Sequence, residues 1–479
     1  MLFNSFPFLI FFPVVTCVYF LLAHKYRWLW LLIASCVFYM FFIPKYIVIL
    51  FITIVIDYWA GIKIASSTGA ARKRYLLISI ISTVLVLAIF KYANFLIGNV
   101  DQLAHLIHWN YSVKALDIIL PIGLSFHTFQ SLSYVIEVYR GNHKPEKHFG
   151  IYALYVMFYP QLVAGPIERP QNILYQFYEK HQFKYKDVVS GLKLMAWGFF
   201  KKLVIADRLS AIINPVYNNP HHYSGVALIF VTLLFAQQIY CDFSGYSDIA
   251  IGAARVMGFR LMKNFDMPYF SKSISEFWTR WHISLSTWFR DYVYIPMGGS
   301  RVVKWRWYYN LLVTFLLSGL WHGASWTYVI WGGLNGLYLI MEVITLKFRK
   351  NASNLIRLNR FPMLLNGIQV FVTVLLISVA WIFFRANTAS DAFYIVSKIF
   401  TIKSFNTDFS TFVDPYSLFL CLVFILLLEL TQWYHKKYNL VKVISEKPLI
   451  VRFALYTVFL VVLLNFGVFS SKGFIYFQF

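Results

Sequence analysis

The chain has 479 residues, of which 59% are hydrophobic, 20% aromatic and only 13% charged, with a formal net charge of +23 at pH 7. A soluble domain carries about 25% charged residues, so this composition excludes a soluble enzyme and points to a polytopic protein of the lipid bilayer. The basic residues sit in short stretches between apolar runs, as the positive-inside rule requires, and form no single patch for nucleic acid.

Apolar runs at 6–23, 28–43 and 46–62, separated by the basic 24–27 and the turn at Pro44-Lys45, predict tightly connected hairpins. The N-terminal run has no basic n-region and no small-residue cleavage site, and reads as a retained first span, not a signal peptide. A fourth span follows at 75–97, a sparsely charged segment at 98–114 and a fifth span at 115–137. Residues 149–170 are apolar but interrupted by Pro160, Gly165 and Pro166, which predicts a re-entrant hairpin in place of a full span. Further spans are expected at 189–206, 224–252, 362–384, 416–432 and 450–470, with a long polar and aromatic stretch running to about 307. The length rule then gives an all-α chain with about 11–12 transmembrane helices plus re-entrant and interfacial helices. Basic stretches at 63–74, 140–147, 301–306, 347–360 and 436–442 all fall on one side, taken as cytoplasmic, with the N-terminus outside. No linker or repeat divides the chain. It reads as one membrane domain, 1–479, with N-terminal hairpins (1–140), a core with re-entrant and interfacial helices (141–350) and C-terminal helices (351–479). Cys17, Cys36, Cys241 and Cys421 show no C-x-x-C spacing and are expected as packing residues.

Residues 307–341 carry no charge, which is too long for one span and too short for two comfortable ones. A break is expected within Ser318–Ser325, where two glycines and two serines loosen the backbone around His322. Non-helical backbone at bilayer depth survives only inside protein or beside water, so His322 is expected in a protein-lined pocket. The plain alternative is a neutral imidazole holding helices together. The chemical reading is a general base: with an ordinary pKa of about 6.5, a neutral histidine accepts a hydroxyl proton as that oxygen attacks an acyl carbonyl. No nucleophile elbow, phosphate-binding glycine loop or dinucleotide fingerprint occurs.

In 273–292, Ile274, Phe277, Trp278, Trp281, Leu285, Trp288, Phe289 and Tyr292 recur at helical spacing opposite Glu276, Thr279, Arg280, Arg290 and Asp291, predicting one amphipathic helix that lies in the membrane interface or lines a cavity, with His282 at the margin of its apolar face. Upstream, Asp242 and Asp248 lie in an apolar run with Gln237, Gln238, Ser244 and Ser247. Their carboxylates must face protein or water, and without ligand spacing a hydrogen-bonded network is expected, with no metal. Gly332 and Gly336, one turn apart, would let a neighbouring helix approach closely.

Phe277 to Tyr292, then Ile295-Pro296-Met297-Gly298-Gly299, closely resemble the signature of bacterial membrane-bound O-acyltransferases (MBOAT) of the alginate O-acetylation branch. Pro121 to Gln130, Ala164 to Ile167, Asp242 to Asp248, Trp321-His322-Gly323 and Phe474 to Phe479 are similar to the same branch, so the likeness spans most of the chain. His127 departs from it, standing where tyrosine is frequent. The resemblance implies a ring of helices around a central tunnel, His322 as the catalytic residue and His282 as its partner. Candidates for the tunnel wall are Asp242, Ser244, Tyr246, Asp248, Trp281, Arg290, Asp291, Ser318 and Trp321. It implies no bound cofactor, a donor that is acetyl-CoA or another acyl thioester, and an acceptor that is an exported polysaccharide, a periplasmic acetyltransferase partner, or both. The expected location is the bacterial inner membrane. D-alanyl or other acyl transfer to teichoic acid or peptidoglycan is the nearest alternative. A transporter is a second, although no matching copy of the broken segment occurs. A non-enzymatic scaffold of an export complex is a third.

Overall fold

The computed structural model describes residues 1–109, 113–118, 120–401, 413–438, 440–469 and 473–475, and the described residues are helical with no strand. Residues 110–112 of the sparsely charged segment and 476–479 of the C-terminal motif lie outside them. The chain forms two compact units, Met1–Ala196 with Ser247–Lys263, and Trp197–Tyr246 with Asn264–Gln478.

The first unit begins with α1 (Phe6–Leu21), α2 (His24–Met40), α3 (Ile47–Ser66), α4 (Gly69–Leu106) and α5 (Leu124–Arg140). Pro44 opens a single 3-10 turn that leads into α3, where its missing N–H costs nothing. The basic stretch 63–74 is almost wholly helical, divided between α3 and α4, because Lys and Arg are good helix formers. α5 starts at Leu124, later than the expected span, because Pro121 and the left-handed Gly123 keep the preceding residues out of the helix. Within the apolar core, Asp57 on α3 accepts hydrogen bonds from Ser79 (2.5 Å) and Thr83 (3.1 Å) on α4, which ties the two helices in register. His127 on α5 meets Thr53 on α3 at 3.1 Å, so the residue that departs from the family pattern bridges two helices here.

α6 (Phe149–Met157) has 9 residues and ends at Phe158, whose backbone leaves the helical region ahead of Pro160. It is about 14 Å long, half of what a bilayer needs, so 149–170 makes no full span. Glu168 at its far end is fully buried, with a carboxylate that accepts the Met262 amide and Asn172 Nδ2.

α7 (Tyr185–Phe199) runs through a π-helical stretch, Phe200–Ala206, into α8 (Asp207–Asn218). α9 (Gly225–Val256) follows, and up to Tyr246 it belongs to the second unit. The expected single helix over 273–292 is instead two, α10 (Ile274–Arg280) and α11 (Ile283–Phe289), separated at Trp281-His282 because His282 adopts a left-handed backbone (φ 43°, ψ 55°). α12 (Lys304–His322) and α13 (Trp326–Leu355) divide the long uncharged segment at Gly323–Ser325. Two helices fit because each extends into charged flanks, α12 back to Lys304 and α13 on past Glu342. α14 (Pro362–Arg385), α15 (Ala389–Phe400), α16 (Pro415–Tyr438) and α17 (Leu449–Phe466) complete the unit.

Among the described residues, seven helical stretches are long and apolar enough to cross a bilayer: Pro44–Ser66, α4, α9, α13, α14, α16 and α17. This is a multi-pass membrane protein. The expected 11–12 spans also counted α1, α2, α5, the α7–α8 stretch and α12. Of these, α1, α2 and α5 have 16, 17 and 17 residues, and α12 opens on Lys304 and Arg306.

α12 and α13 pack backbone to backbone. A Cβ on Gly319 would stand 2.3 Å from the Tyr328 carbonyl oxygen, and one on Gly332 2.3 Å from that of Phe315. Only glycine fits at these crossings, the close approach that small residues permit between membrane helices. The pairing fixes the C-terminal end of α12, where His322 sits.

Candidate active site

α12 stops at His322 because Gly323 is fully extended, and Ser325 starts α13 by accepting the Thr327 amide on its hydroxyl. His322 is 5% exposed and held in an aromatic cage, with ring centroids 4.8 Å from Trp321, 4.9 Å from Trp331 and 5.3 Å from Phe384. Trp381 stacks on Trp331 at 5.9 Å behind it. His282, expected at the margin of an apolar face, is instead fully inside at 1% exposure, edge-on to Phe243 at 4.5 Å. Its ring lies 6.3 Å from Trp321, so one indole contacts both imidazoles. Burial pulls the His282 pKa far below its ordinary value, which keeps the ring neutral at pH 7.

A cavity of about 450 Å³ opens beside this cage, lined by Trp278, Thr279, Thr287, Arg290, Ser318 and Glu342 among others. Its wall reaches Ser318, one helical turn before His322. Trp278 lines the cavity and packs on Trp331 at 5.7 Å, and Trp331 contacts the imidazole. Arg290 is exposed at the cavity and pairs with Asp291 at 2.8 Å.

Of the other wall candidates, Trp321 joins the two histidines, while Trp281 is buried in packing against Phe277 (5.5 Å) and Trp381 (5.0 Å). Asp242, Ser244 and Tyr246 line no part of this cavity. They build a buried anchor: Lys202 Nζ bridges Asp242 (2.5 Å) and Asp207 (2.9 Å), and Lys201 Nζ donates to Ser244 (2.9 Å). Asp242 also accepts the amide of Ile475 (2.7 Å), while Phe474 packs on Tyr246 at 4.9 Å and on Phe243 at 5.4 Å. Asp248, further along α9, belongs to the first unit. Removing one partner of a buried ion cluster is costly, and Asp242→Ala should lower stability by about 3 kcal/mol. Thermal unfolding in detergent checks this; an unchanged melting temperature would mean the cluster bears no load.

Sequence reasoning passed over Asn264, Lys202, Trp331 and Phe384, and gives Trp278 only as part of an apolar helix face. Asn264 lies in an irregular loop with no periodicity to mark it, and Lys202 reads as one more interfacial cation. The cage aromatics are indistinguishable from ordinary core until the fold assembles them. Among the described residues no three His, Cys, Asp or Glu side chains gather as metal ligands would. Cys17, Cys36, Cys241 and Cys421 are all free, and the last two are buried.

Residues 148–384 match the family model described as MBOAT, membrane-bound O-acyltransferase family. The chain is 39% identical over 404 residues to the probable alginate O-acetylase AlgI of Pseudomonas aeruginosa, covering 84% of this chain and 75% of that protein. It is 36% identical over 445 residues to the probable alginate O-acetylase AlgI of Azotobacter vinelandii, covering 91% and 86%. To the peptidoglycan O-acetyltransferase of Helicobacter pylori it is 35% identical over 391 residues, covering 76% and 72%. The chain thus belongs to the membrane-bound O-acyltransferase family, and its activity is O-acyl transfer.

Proposed function

We propose that the protein moves an acetyl group from a cytoplasmic thioester, acetyl-CoA in the simplest case, across the bacterial cytoplasmic membrane. The acceptor is a hydroxyl of an exported polysaccharide or of a periplasmic partner that passes the group on. The observation that carries this reading is His322, a buried imidazole caged by aromatic rings one helical turn from a chamber of about 450 Å³. That volume lies in the range of small-molecule sites. The relatives named for alginate and peptidoglycan O-acetylation support a polysaccharide hydroxyl as the final acceptor.

The step balances as a base-catalysed acyl exchange. His322 takes the hydroxyl proton as the oxygen attacks the thioester carbonyl, the C–S bond breaks, and the imidazolium returns the proton to the departing thiolate. The products are an ester and a free thiol. Two features of the cage favour transfer over hydrolysis: its walls are indole and phenyl rings, which exclude competing water, and its base is fixed at a helix end by backbone packing.

Deleting the protein should abolish alkali-labile acetate on the exported polymer, and a wild-type copy should restore it. Acetyl label supplied as acetyl-CoA to the cytoplasmic face should reappear as ester on the opposite face. Undiminished polymer acetate in the deletion strain would contradict the reading.

A further inference from the structure

We infer that Asn264 is a positioning residue that fixes the tautomer of His282, holding the proton on Nδ1 and the lone pair on Nε2. This deepens the reading above and rests on it for its catalytic meaning, though not for the tautomer itself.

The chain at Asn264–Asp266 runs beside the turn that carries His282. Asp266 N–H donates to the Arg280 carbonyl and Ile283 N–H to the Asn264 carbonyl, each at 2.9 Å. This pairing holds His282 in its left-handed conformation, a strained backbone for a residue with a side chain. The Asn264 side chain points into the same turn, and Asn264, His282 and Ser284 are all at most 1% exposed.

Three groups converge on Asn264 Oδ1: the Ser284 amide at 3.2 Å, the Ser284 hydroxyl at 2.9 Å and His282 Nδ1 at 3.2 Å. A backbone amide only donates, so the side-chain atom facing it is an acceptor, which identifies it as the Asn264 oxygen. The single Ser284 hydroxyl proton goes to that oxygen, leaving none for His282 Nδ1, 3.5 Å from the hydroxyl. Nδ1 is therefore the donor. In a neutral ring the lone pair then belongs to Nε2. An imidazole in this state accepts a hydrogen bond through Nε2 and cannot donate one there. Its part in acyl transfer is to orient a hydroxyl for attack, not to stabilise the oxyanion on the carbonyl.

Nitrogen-15 spectra of histidine-labelled protein, with the His282 signals assigned by difference from His282→Gln, test the tautomer directly. At pH 7 the wild type should show Nδ1 protonated and Nε2 bare; the reverse pattern overturns the proposal whatever the activity proves to be. Asn264→Asp keeps the acceptor and adds a charge that stabilises the imidazolium, so the ring should titrate at higher pH than in the wild type. Asn264→Ala should mix the tautomers and lower turnover per folded protein by about 10- to 100-fold, the loss typical when the partner that orients a metal-bound histidine is removed. Asn264→Asp should recover much of that turnover, with the acid limb of its pH profile moved to higher pH. An Asn264→Asp variant that is folded yet no more active than Asn264→Ala, or an Asn264→Ala variant at the wild-type rate, also overturns it. His322→Ala, measured beside them, separates this outcome from failure of the functional reading: full activity there defeats the reading and leaves the nitrogen spectra to decide the tautomer.

Discussion

His322→Ala is expected to lower acyl transfer by about 10²- to 10⁴-fold, the range for loss of a positioned general acid or base. The imidazole touches Trp321, Trp331 and Phe384, and none of these rings can accept a proton in its place. His282 does not take over the role, because its ring is held by Asn264 and its burial keeps it a weak base. The measurement is transferred acetate per folded protein, since emptying part of the cage also costs some packing energy. His322→Gln complements it: the amide fills most of the space and makes hydrogen bonds but cannot carry a proton, so it should be nearly as inactive and more stable.

Gly332→Val should damage both folding and activity. The new Cβ alone would stand 2.3 Å from the Phe315 carbonyl oxygen, and a backbone atom cannot swing aside as a side chain does. α12 must move away from α13, and it carries both Ser318 on the cavity wall and His322 at its end. Overpacking of this kind costs about 1–3 kcal/mol, and a displacement of about 1 Å at a reacting group costs about 100-fold in rate. Both lower amount in the membrane and lower activity of the protein that remains are therefore expected. The adjacent Gly333→Ala is the control. Its nearest neighbour would be Leu316 Cδ2 at 3.7 Å, an ordinary contact, and it should behave as wild type in both assays.

The apolar runs were the most legible part of the sequence, because a bilayer demands long uncharged stretches and marks their ends with Lys and Arg. α3, α14 and α17 begin within about a residue of their expected positions. His322 was legible for the same reason, as the one histidine in 35 residues of uncharged, apolar chain. What escaped is what depends on backbone conformation or on distant partners. Across 273–292 the apolar period continues unbroken, yet His282 turns the chain, because Asn264 and Asp266 bind the turn from outside the periodic segment. The sequence resemblance makes Asp242 a tunnel-wall candidate, but its partner Lys202 comes from a π-helical stretch and its second contact from Ile475, 233 residues away in sequence. The cage itself draws on α12, α13 and α14, and no local pattern distinguishes Trp331 or Phe384 from other core aromatics.

We propose His322 as the base for acyl transfer between the two faces of the membrane. Its most direct test is transfer in sealed vesicles, with labelled acetyl-CoA on the cytoplasmic face and the hydroxyl acceptor on the other, comparing wild type with His322→Gln at equal folded amounts. Labelled ester on the far face should form with wild type and fall by at least about 100-fold with His322→Gln. Equal ester formation by the two proteins would contradict it.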